Sequence, residues 1–413
     1  MSMLDTALKR PFHLKRPFQL FASLCLALTL LASCGGGGSD SNAPAGSSYT
    51  AGPITGFGSI IVNGVRFDVS RARVVDDSGR ERTEADLKLG MMAQVQAGDI
   101  TGVDTSQATQ VQIGSAIIGP VDAINTSTRL LIVLGQTIDV ADTTVFGPSL
   151  PSGPFSISVG TILEIFGMLD TTTGHYQATR IEAMTDATSF KLQGVVANLD
   201  TARRTFMMGG ETISFASLPA GSVPPLSNGQ QVTVLLQMQP NLNNQWVAAQ
   251  FVTDGNPTPV PAAQSKVKLR GFITSVDSPG HFSINGLPVD ASNATIRPKS
   301  ATLVPGAQVK VEGSISNGTV IATKVTVKKG RGHGPGNDEN EDEDDQFELH
   351  GAVENLNTSS QTCLVRGVPV NFSTAVFSGG GRDQLARGSR INVKGKLSSD
   401  GTRVEAANIS FED

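Results

Sequence analysis

Few residues in this 413-residue sequence have types and spacings suited to catalysis, and they are scattered along it. An active site brings a nucleophile beside a base, or two carboxylates with separated pKa values, into one pocket. Ser265 and Lys268 form a Ser-x-x-Lys pair, but no partner motif accompanies it. The histidines share no motif and no spacing: His13, His175, His281, His333 and His350. The sequence therefore predicts no catalytic constellation, and we expect the histidines to be solvent-exposed.

Metal-binding patterns are equally sparse. One free cysteine and scattered histidines cannot supply the four ligands of a zinc site. A dense acidic run could collect calcium or magnesium weakly, although it lacks the alternating ligands and central glycine of an EF-hand loop. Its members are Asp338, Glu339, Glu341, Asp342, Glu343, Asp344 and Asp345. A solvated acidic spacer is the favoured interpretation, and the sequence predicts no specific metal and no cofactor.

One short polar position recurs four residues after a repeated glycine. Its occupants are Asp68, Asp139, Ser214, Asp290 and Asn371. Small polar side chains of this kind bind the backbone where a strand ends, which forms an Asx-type turn. That interpretation is favoured, and a ligand contact repeated in every copy is the alternative.

These positions belong to a repeat that occurs five times. A glycine opens a strand in each copy, at Gly56, Gly119, Gly194, Gly271 and Gly351. A second glycine follows an apolar alternation, at Gly64, Gly135, Gly210, Gly286 and Gly367, with spacings of 71, 75, 76 and 81 residues. A third glycine precedes a later strand, at Gly90, Gly160, Gly229, Gly306 and Gly388. Such regularity indicates tandem copies of one structural unit.

The pattern inside each copy is that of β-strands. Apolar residues alternate with polar ones, as in Phe282–Val289, which predicts strands with one buried face. Asn-Gly and Gly-Gly steps predict tight hairpins. We expect about five strands per copy, and a small OB-like closed barrel lets them avoid open edges. A small β-sandwich is the alternative, and the only helical segment expected is one turn near residues 84–89.

The repeat divides the chain into modules and linkers. A signal peptide is expected over 1–33, followed by a lipidated cysteine and a Gly/Ser tether over 34–50. Modules 1 to 5 are expected at 51–114, 115–185, 188–254, 266–328 and 346–413. A Pro-rich linker (255–265) precedes module 4, and a Gly-rich, acidic linker (329–345) precedes module 5. The acidic linker cannot bury enough apolar surface to fold alone.

The amino terminus has the layout of an export signal. Four basic residues precede an apolar run from Leu20 to Ala32, which is too short to cross a bilayer as a helix. The run ends in Leu31-Ala32-Ser33-Cys34, followed by four glycines. This segment resembles the lipobox of bacterial lipoproteins, which implies cleavage before Cys34 and lipidation of its thiol. Two or three acyl chains hold a protein firmly on a membrane, whereas one chain does not.

Cleavage of the leader and lipidation of Cys34 also change the net charge and the number of free thiols. The leader carries four of the 32 basic and one of the 37 acidic residues, so 28 basic and 36 acidic residues remain, a formal charge of about −8. A nucleic-acid partner is not expected for such an acidic chain. With Cys25 cleaved off and Cys34 lipidated, Cys363 is the single free thiol. It aligns with Ile60, Leu131, Phe206 and Phe282, so we expect it in the core.

The sequence also resembles a known family. The segment Gly-Phe-Gly-Ser-Ile-Ile-Val-Asn-Gly-Val over residues 56–65, with repeated Val-x-Val-x-Gly and Ala-Thr-x-Val strands, is similar to the envelope lipoproteins that carry the domain of unknown function 5666. The resemblance implies tandem β modules and an envelope location. It carries no activity, ligand or catalytic residue.

The favoured function is a lipid-anchored binding or scaffold protein of the bacterial cell envelope, in the outer membrane. Its modules would be strung from Cys34 and would bind an envelope component through shallow, repeated surfaces. The alternative is an envelope enzyme with an active site between modules. Two acids with perturbed pKa values in a cleft between modules would favour this alternative.

The lipobox generates the first prediction. Replacing Cys34 by Ser removes the acylated thiol, and no second apolar anchor exists in the sequence. We therefore expect the C34S protein to leave the membrane fraction on cell fractionation. Retention of C34S in membranes after a carbonate wash would refute the anchoring hypothesis.

Overall fold

The computed structural model describes residues 47–101, 104–252, 261–328 and 346–412. These residues form thirty β-strands and four short 3-10 turns, and they contain no α-helix. No helix among them could therefore cross a membrane. The leader, Cys34 and the acidic run lie outside the described residues.

The strands follow the five modules. Module 1 contains β1 (Ser48–Phe57), β2 (Ile60–Val62), β3 (Val65–Asp68), β4 (Arg73–Asp76), β5 (Glu81–Arg82), β6 (Met92–Ala97) and β7 (Thr105–Ile113). Module 2 contains β8 (Ile117–Asn125), β9 (Leu130–Val133), β10 (Gln136–Phe146), β11 (Ile162–Asp170) and β12 (His175–Ala183). Module 3 contains β13 (Phe190–Val195), β14 (Ala197–Asp200), β15 (Thr205–Met208), β16 (Glu211–Ser214), β17 (Gln231–Leu236) and β18 (Trp246–Phe251).

The last two modules have the same layout. Module 4 contains β19 (Gln264–Ser278), β20 (His281–Ile284), β21 (Leu287–Asp290), β22 (Thr295–Arg297), β23 (Gln308–Ser316) and β24 (Thr319–Val327). Module 5 contains β25 (Phe347–Asn357), β26 (Thr362–Val365), β27 (Val368–Asn371), β28 (Val376–Ser378), β29 (Arg390–Leu397) and β30 (Val404–Phe411). The 3-10 turns are Glu84–Asp86, Gly153–Ser156, Ala220–Ser222 and Arg382–Gln384.

Each module closes into a five-stranded ring. In module 5, β25 pairs with β26, β26 with β27, β27 with β30 in parallel, β30 with β29, and β29 with β25. When the ring strands are numbered in chain order within a module, the order around the ring is 1-2-3-5-4. Modules 1, 2 and 4 repeat this order. Module 3 repeats it as well, with its first ring strand split into β13 and β14. The all-β prediction with small OB-like barrels is confirmed, and the sandwich alternative is not observed.

Two sets of repeated glycines explain why the rings close. The third glycines all have positive φ, from 80° to 89°, a conformation that side chains with a Cβ rarely adopt. The first glycines lie where the hairpin of the second and third strands folds over the first strand. A Cβ on Gly119 would lie 2.4 Å from Leu134 Cγ, and one on Gly271 would lie 2.6 Å from Ile284 Cγ2.

The barrels pair with one another through backbone hydrogen bonds. Ser48–Ala51 of β1 runs parallel to Lys266–Leu269 of β19, and the end of β1 pairs with the start of β25. In modules 2 and 3, Ile117 and Ile118 pair with Leu192 and Lys191. The strands therefore form two continuous sheets, of 19 strands in modules 1, 4 and 5 and of 11 strands in modules 2 and 3.

The apolar cores follow these pairings. One cluster joins modules 1 and 5 and includes Phe166 of module 2, and a second joins modules 2 and 3. Module 4 has a separate cluster, to which β1 contributes Tyr49. Cys363 is buried in the first cluster as predicted, and burial raises the pKa of its thiol to about 11. The modules are thus docked together, which differs from the strung arrangement expected from the sequence.

The hairpin glycines generate the second prediction. Gly286 has a φ of 80° in the turn between β20 and β21, so Gly286→Val should destabilise module 4 by more than ~1 kcal/mol through backbone strain. Gly221 is the matched control because it, too, has open space around its Cα but no positive φ. Denaturant unfolding of both variants checks this, and equal stability of G286V and G221V would contradict it.

Candidate functional site

The recurrent polar position lies where the third ring strand ends, with one exception. Asp68 Oδ1 accepts a hydrogen bond from the Ser70 amide at 2.9 Å, and this bond holds the pKa of Asp68 below its ordinary value. The same contact to the amide two residues later is made by Ser214, Asp290 and Asn371. Because these side chains are bound within their own turns, the geometry has the form of an Asx-type turn. The repeated ligand contact stays a prediction.

Asp139 is the exception because β10 continues beyond it to Phe146. Its Oδ2 lies 3.3 Å from Nδ1 of His175, at the start of β12. In module 4, Nε2 of His281 similarly lies 3.5 Å from Asp290 Oδ1. Both pairs are partly exposed and lie in different modules. They do not bring the five polar positions into one site.

Ser265 and Lys268 make no catalytic pair. Ser265 Oγ donates to the backbone carbonyl of Ser47, and Lys268 Nζ lies 3.3 Å from Asp104 Oδ1. Both side chains therefore hold the start of β19 against module 1. Among the described residues, no group of three metal-ligating side chains is arranged to hold an ion.

His350 differs most from its prediction. Its side chain is 12% exposed, and it lies inside β25 at the junction of modules 1 and 5. Its Nε2 lies 2.8 Å from Glu348 Oε1 and 2.7 Å from Nη2 of Arg66 in β3, while its Nδ1 contacts Glu412. Gly58 packs directly against the His350 side chain, since a Cβ there would lie 2.3 Å from His350 Cβ and 2.9 Å from the ring atom Cγ. The expectation of an exposed histidine was wrong because module 1 covers this face of module 5.

Glu348 is the centre of this charged junction. Its Oε1 accepts bonds from Arg66 Nη2 and Asn392 Nδ2, both at 3.1 Å, and Lys394 Nζ lies 3.8 Å away. The hydrogen bond with His350 is the largest cause that lowers the pKa of Glu348 to about 2, and Lys394 and Arg66 add to it. Partial burial opposes this shift. The ionised carboxylate of Glu348 therefore stabilises the docking of modules 1 and 5.

A second charged junction joins modules 1, 2 and 3. Lys191 of β13 is buried and pairs with Asp77 of module 1. Buried Arg180 pairs with Glu182 and donates from Nη1 to the Leu89 carbonyl of module 1 at 2.9 Å.

Glu164 of β11 lies opposite Glu182 of β12. On its other side Glu164 pairs with Ile118 of β8, which in turn pairs with Lys191 of β13. Burial raises the pKa of Glu164, and the positive charge of Lys191 opposes the shift. The part of the outer face that holds Glu182, Glu164 and Lys191 is therefore a polar interface.

A cleft of about 680 Å³ lies where modules 1, 2, 3 and 4 meet, and we call it the central cleft. Its walls come from β1, β6, β7, β11, β17 and the turn between β20 and β21. Side-chain amides supply most of its polar groups: Gln94, Gln112, Gln193, Gln230, Gln231 and Asn285. Apolar lining comes from Met92, Met168, Leu169, Val232, Phe251 and Leu287. This volume lies within the range of small-ligand sites.

The cleft carries little charge. Its charged lining residues are Asp77 and Arg270, and Asp77 is paired with Lys191. Some amides are oriented by the fold: Gln94 Oε1 accepts from buried Tyr49 at 2.9 Å, and Gln193 Nε2 lies 3.3 Å from Thr233 Oγ1. The arrangement can bind a ligand by hydrogen bonds and apolar contact, without ion pairing.

A family model describes three of the five modules. The model of the domain of unknown function DUF5666 matches residues 118–182, 270–326 and 350–409, which lie in modules 2, 4 and 5. Three separate matches to one model are consistent with repeated modules of that domain. Modules 1 and 3 share the ring order of the three matched modules but do not match the model, so the repeat is more extensive in structure than in sequence.

Other comparisons add little. No curated protein matches the chain. It is similar to a multidomain protein with nucleic acid binding domains from Streptococcus pneumoniae, with 14% identity over 59% of this chain and 83% of that one, and a TM-score of 0.16. It is also similar to Drosophila Unr CSD456, with 13% identity over 56% of this chain and 99% of that one, and a TM-score of 0.13. Scores this low carry no argument about function.

Sequence patterns missed both the charged junctions and the central cleft. Alternation along β25 places Phe347, Leu349 and Gly351 inward, so it puts Glu348 and His350 on the outer face. In the register of the sheet, Lys394 of β29 lies directly opposite Glu348 of β25. Once these strands are paired, the two opposite charges indicate a charged patch on the outer face. That Arg66 covers this patch depends on the docking of module 1.

The junction of modules 1 and 5 generates the third prediction. A lowered carboxylate pKa adds stability above the ordinary value near 4.5, and this stability is lost as the pH falls toward about 2. Glu348→Gln should therefore cost about 1–3 kcal/mol at neutral pH, with the difference from wild type shrinking through that acid range. The matched control is Glu354→Gln, an exposed acid on the same strand. Unfolding titrations at several pH values check this, and a difference that does not change with pH would refute it.

Proposed function

We propose that this protein is a lipid-anchored, non-catalytic binding protein of the bacterial envelope whose ligand occupies the central cleft. The observation that carries the proposal is the convergence of four modules on one amide-lined cavity. A site built by four modules requires them to be docked, and backbone pairing, shared cores and the charged junctions supply that docking. Preorganisation of this kind reduces the entropy lost on binding.

The proposed site differs from the repeated shallow surfaces expected from sequence. The outer faces of several barrels are used for contacts between modules, as at Lys191 and His350. The repeated modules would then build one composite site together instead of five equivalent sites.

Anchoring is part of the same proposal. The lipobox at Cys34 supports attachment to the outer membrane, and thirteen residues separate it from Ser48, the first residue of β1. Such a tether can extend at most about 45 Å. The barrels would thus stay near the membrane surface.

An envelope enzyme is the alternative, and Glu164 is the observation that favours it. Its raised pKa and its position across from Glu182 supply one feature of an acid–base pair. However, Glu182 is bound by Arg180, and Glu164 lies near the charge of Lys191, which pairs with Asp77 of module 1. These contacts tie both acids into the module interface, so binding is the better-supported function.

The proposal generates the fourth prediction. Gln231 is an exposed residue of β17 that lines the cleft, so Gln231→Trp should fill the cavity without altering the core. Lipid-free protein carrying Q231W should lose most of its binding to isolated cell envelopes. The matched control is Gln250→Trp, at an exposed position on the neighbouring strand β18 and outside the cleft lining.

Both variants should unfold at the same denaturant concentration as the parent. Equal envelope binding by Q231W and the parent would refute the cleft as the binding site. Equal loss in Q231W and Q250W would show that the effect is not specific to the cleft.

A further inference from the structure

The chemistry of the central cleft limits what it can bind, and this inference rests on the proposed function. Five glutamines and one asparagine line it, whereas the charged lining residues are Arg270 and the paired Asp77. A multiply charged ligand would lose its hydration without matching counter-charges, which is costly. The ligand that fits is uncharged and rich in hydrogen-bonding groups.

Amide side chains suit a particular kind of neutral ligand. A side-chain amide has two N–H donors and one carbonyl acceptor close together, so it can bind a hydroxyl group as donor or as acceptor. In the cleft, Gln94 and Gln230 each accept one bond within the protein and Gln193 donates one, which leaves their remaining donor and acceptor capacity for a ligand. Met92, Met168 and Leu287 add apolar surface between these amides. A sugar ring combines the two features, because its hydroxyl groups surround apolar C–H faces.

The strands that form the walls argue against an extended peptide. Adding a peptide strand to a sheet requires a strand edge with unpaired backbone groups. In the walls, β6 pairs with both β1 and β7, and β17 pairs with both β13 and β18. The backbone of a peptide would find no ladder there, so recognition must come from side chains.

We infer that the central cleft binds a short, uncharged oligosaccharide through its side-chain amides. The site lies between barrels and uses the outer surfaces of β6, β7 and β17 together with the turn that holds Asn285. It is therefore distinct from the single-barrel face formed by the second and third strands, which OB folds use for oligonucleotides or oligosaccharides. Gln231 is the residue best placed to test it, since its side chain is exposed and its backbone pairs with Val195 within the ladder.

The experiment uses the full mature chain carrying Cys34→Ser, applied to an array of neutral and anionic oligosaccharides and uncharged peptides. We expect binding to neutral oligosaccharides, with affinity that hardly changes between low and high salt because no ion pair contributes. Calorimetry with the best neutral oligosaccharide should show about fivefold to tenfold weaker binding for Gln231→Ala, the loss expected for one or two neutral hydrogen bonds. The matched control Gln250→Ala should bind like the parent.

Binding to no neutral oligosaccharide, or binding only to anionic oligosaccharides or to peptides, would overturn the inference. Neutral binding that survives in both Q231A and Q231W would also overturn it, because the oligosaccharide would then sit elsewhere. These outcomes are separable from the proposed function. Envelope binding that Q231W abolishes, without any binding of neutral oligosaccharides, would keep the cleft as a binding site and reject only the ligand class.

Discussion

The structure depends on the backbone pairing of one strand. β1 pairs with β2 and β6 in its own barrel, and it also pairs with β19 and β25 of modules 4 and 5. A strand with paired neighbours on both sides leaves few backbone groups to be satisfied by water, which favours the joined state. Through this strand, residues 218 positions apart (Ser48 and Lys266) and 292 positions apart (Gly56 and Glu348) become neighbours in one sheet. The core shared by modules 1 and 5, and the contribution of Tyr49 to the core of module 4, follow from that joining.

Small barrels explain why such joining is needed. A unit of about 65 residues buries only about 60% of the surface exposed by its unfolded chain, so it is marginal alone. Modules 1 and 5 share one apolar cluster, and modules 2 and 3 share another. Sharing allows a residue such as Phe166 to be buried by a neighbouring module. Each barrel therefore gains stability from contacts that it could not make by itself.

Charged residues act at the junctions because the outer faces of the barrels are polar. Arg66, His350 and Glu348 bind one another across modules 1 and 5, and Lys191 binds Asp77 across modules 1 and 3. Breaking one partner of a buried pair leaves an uncompensated charge, which costs several kcal/mol. Such pairs consequently specify one docking arrangement more than they add net stability. The Lys191–Asp77 pair also places Asp77 in the wall of the central cleft.

The amino-acid sequence by itself determined the repeat, the strands and the inward faces, because these depend on local rules. Alignment of the five copies marked Cys363 as core, and glycines such as Gly286 marked the tight hairpin turns, where the backbone has positive φ. Tertiary structure alone decided which outer faces are covered and where a cavity remains. Glu348 and Gln231 both look like ordinary surface residues in sequence, yet one lies in a junction and the other lines the cleft. The physical reason is that local periodicity specifies inward and outward, whereas the partner of an outward residue depends on docking between strands far apart in the chain.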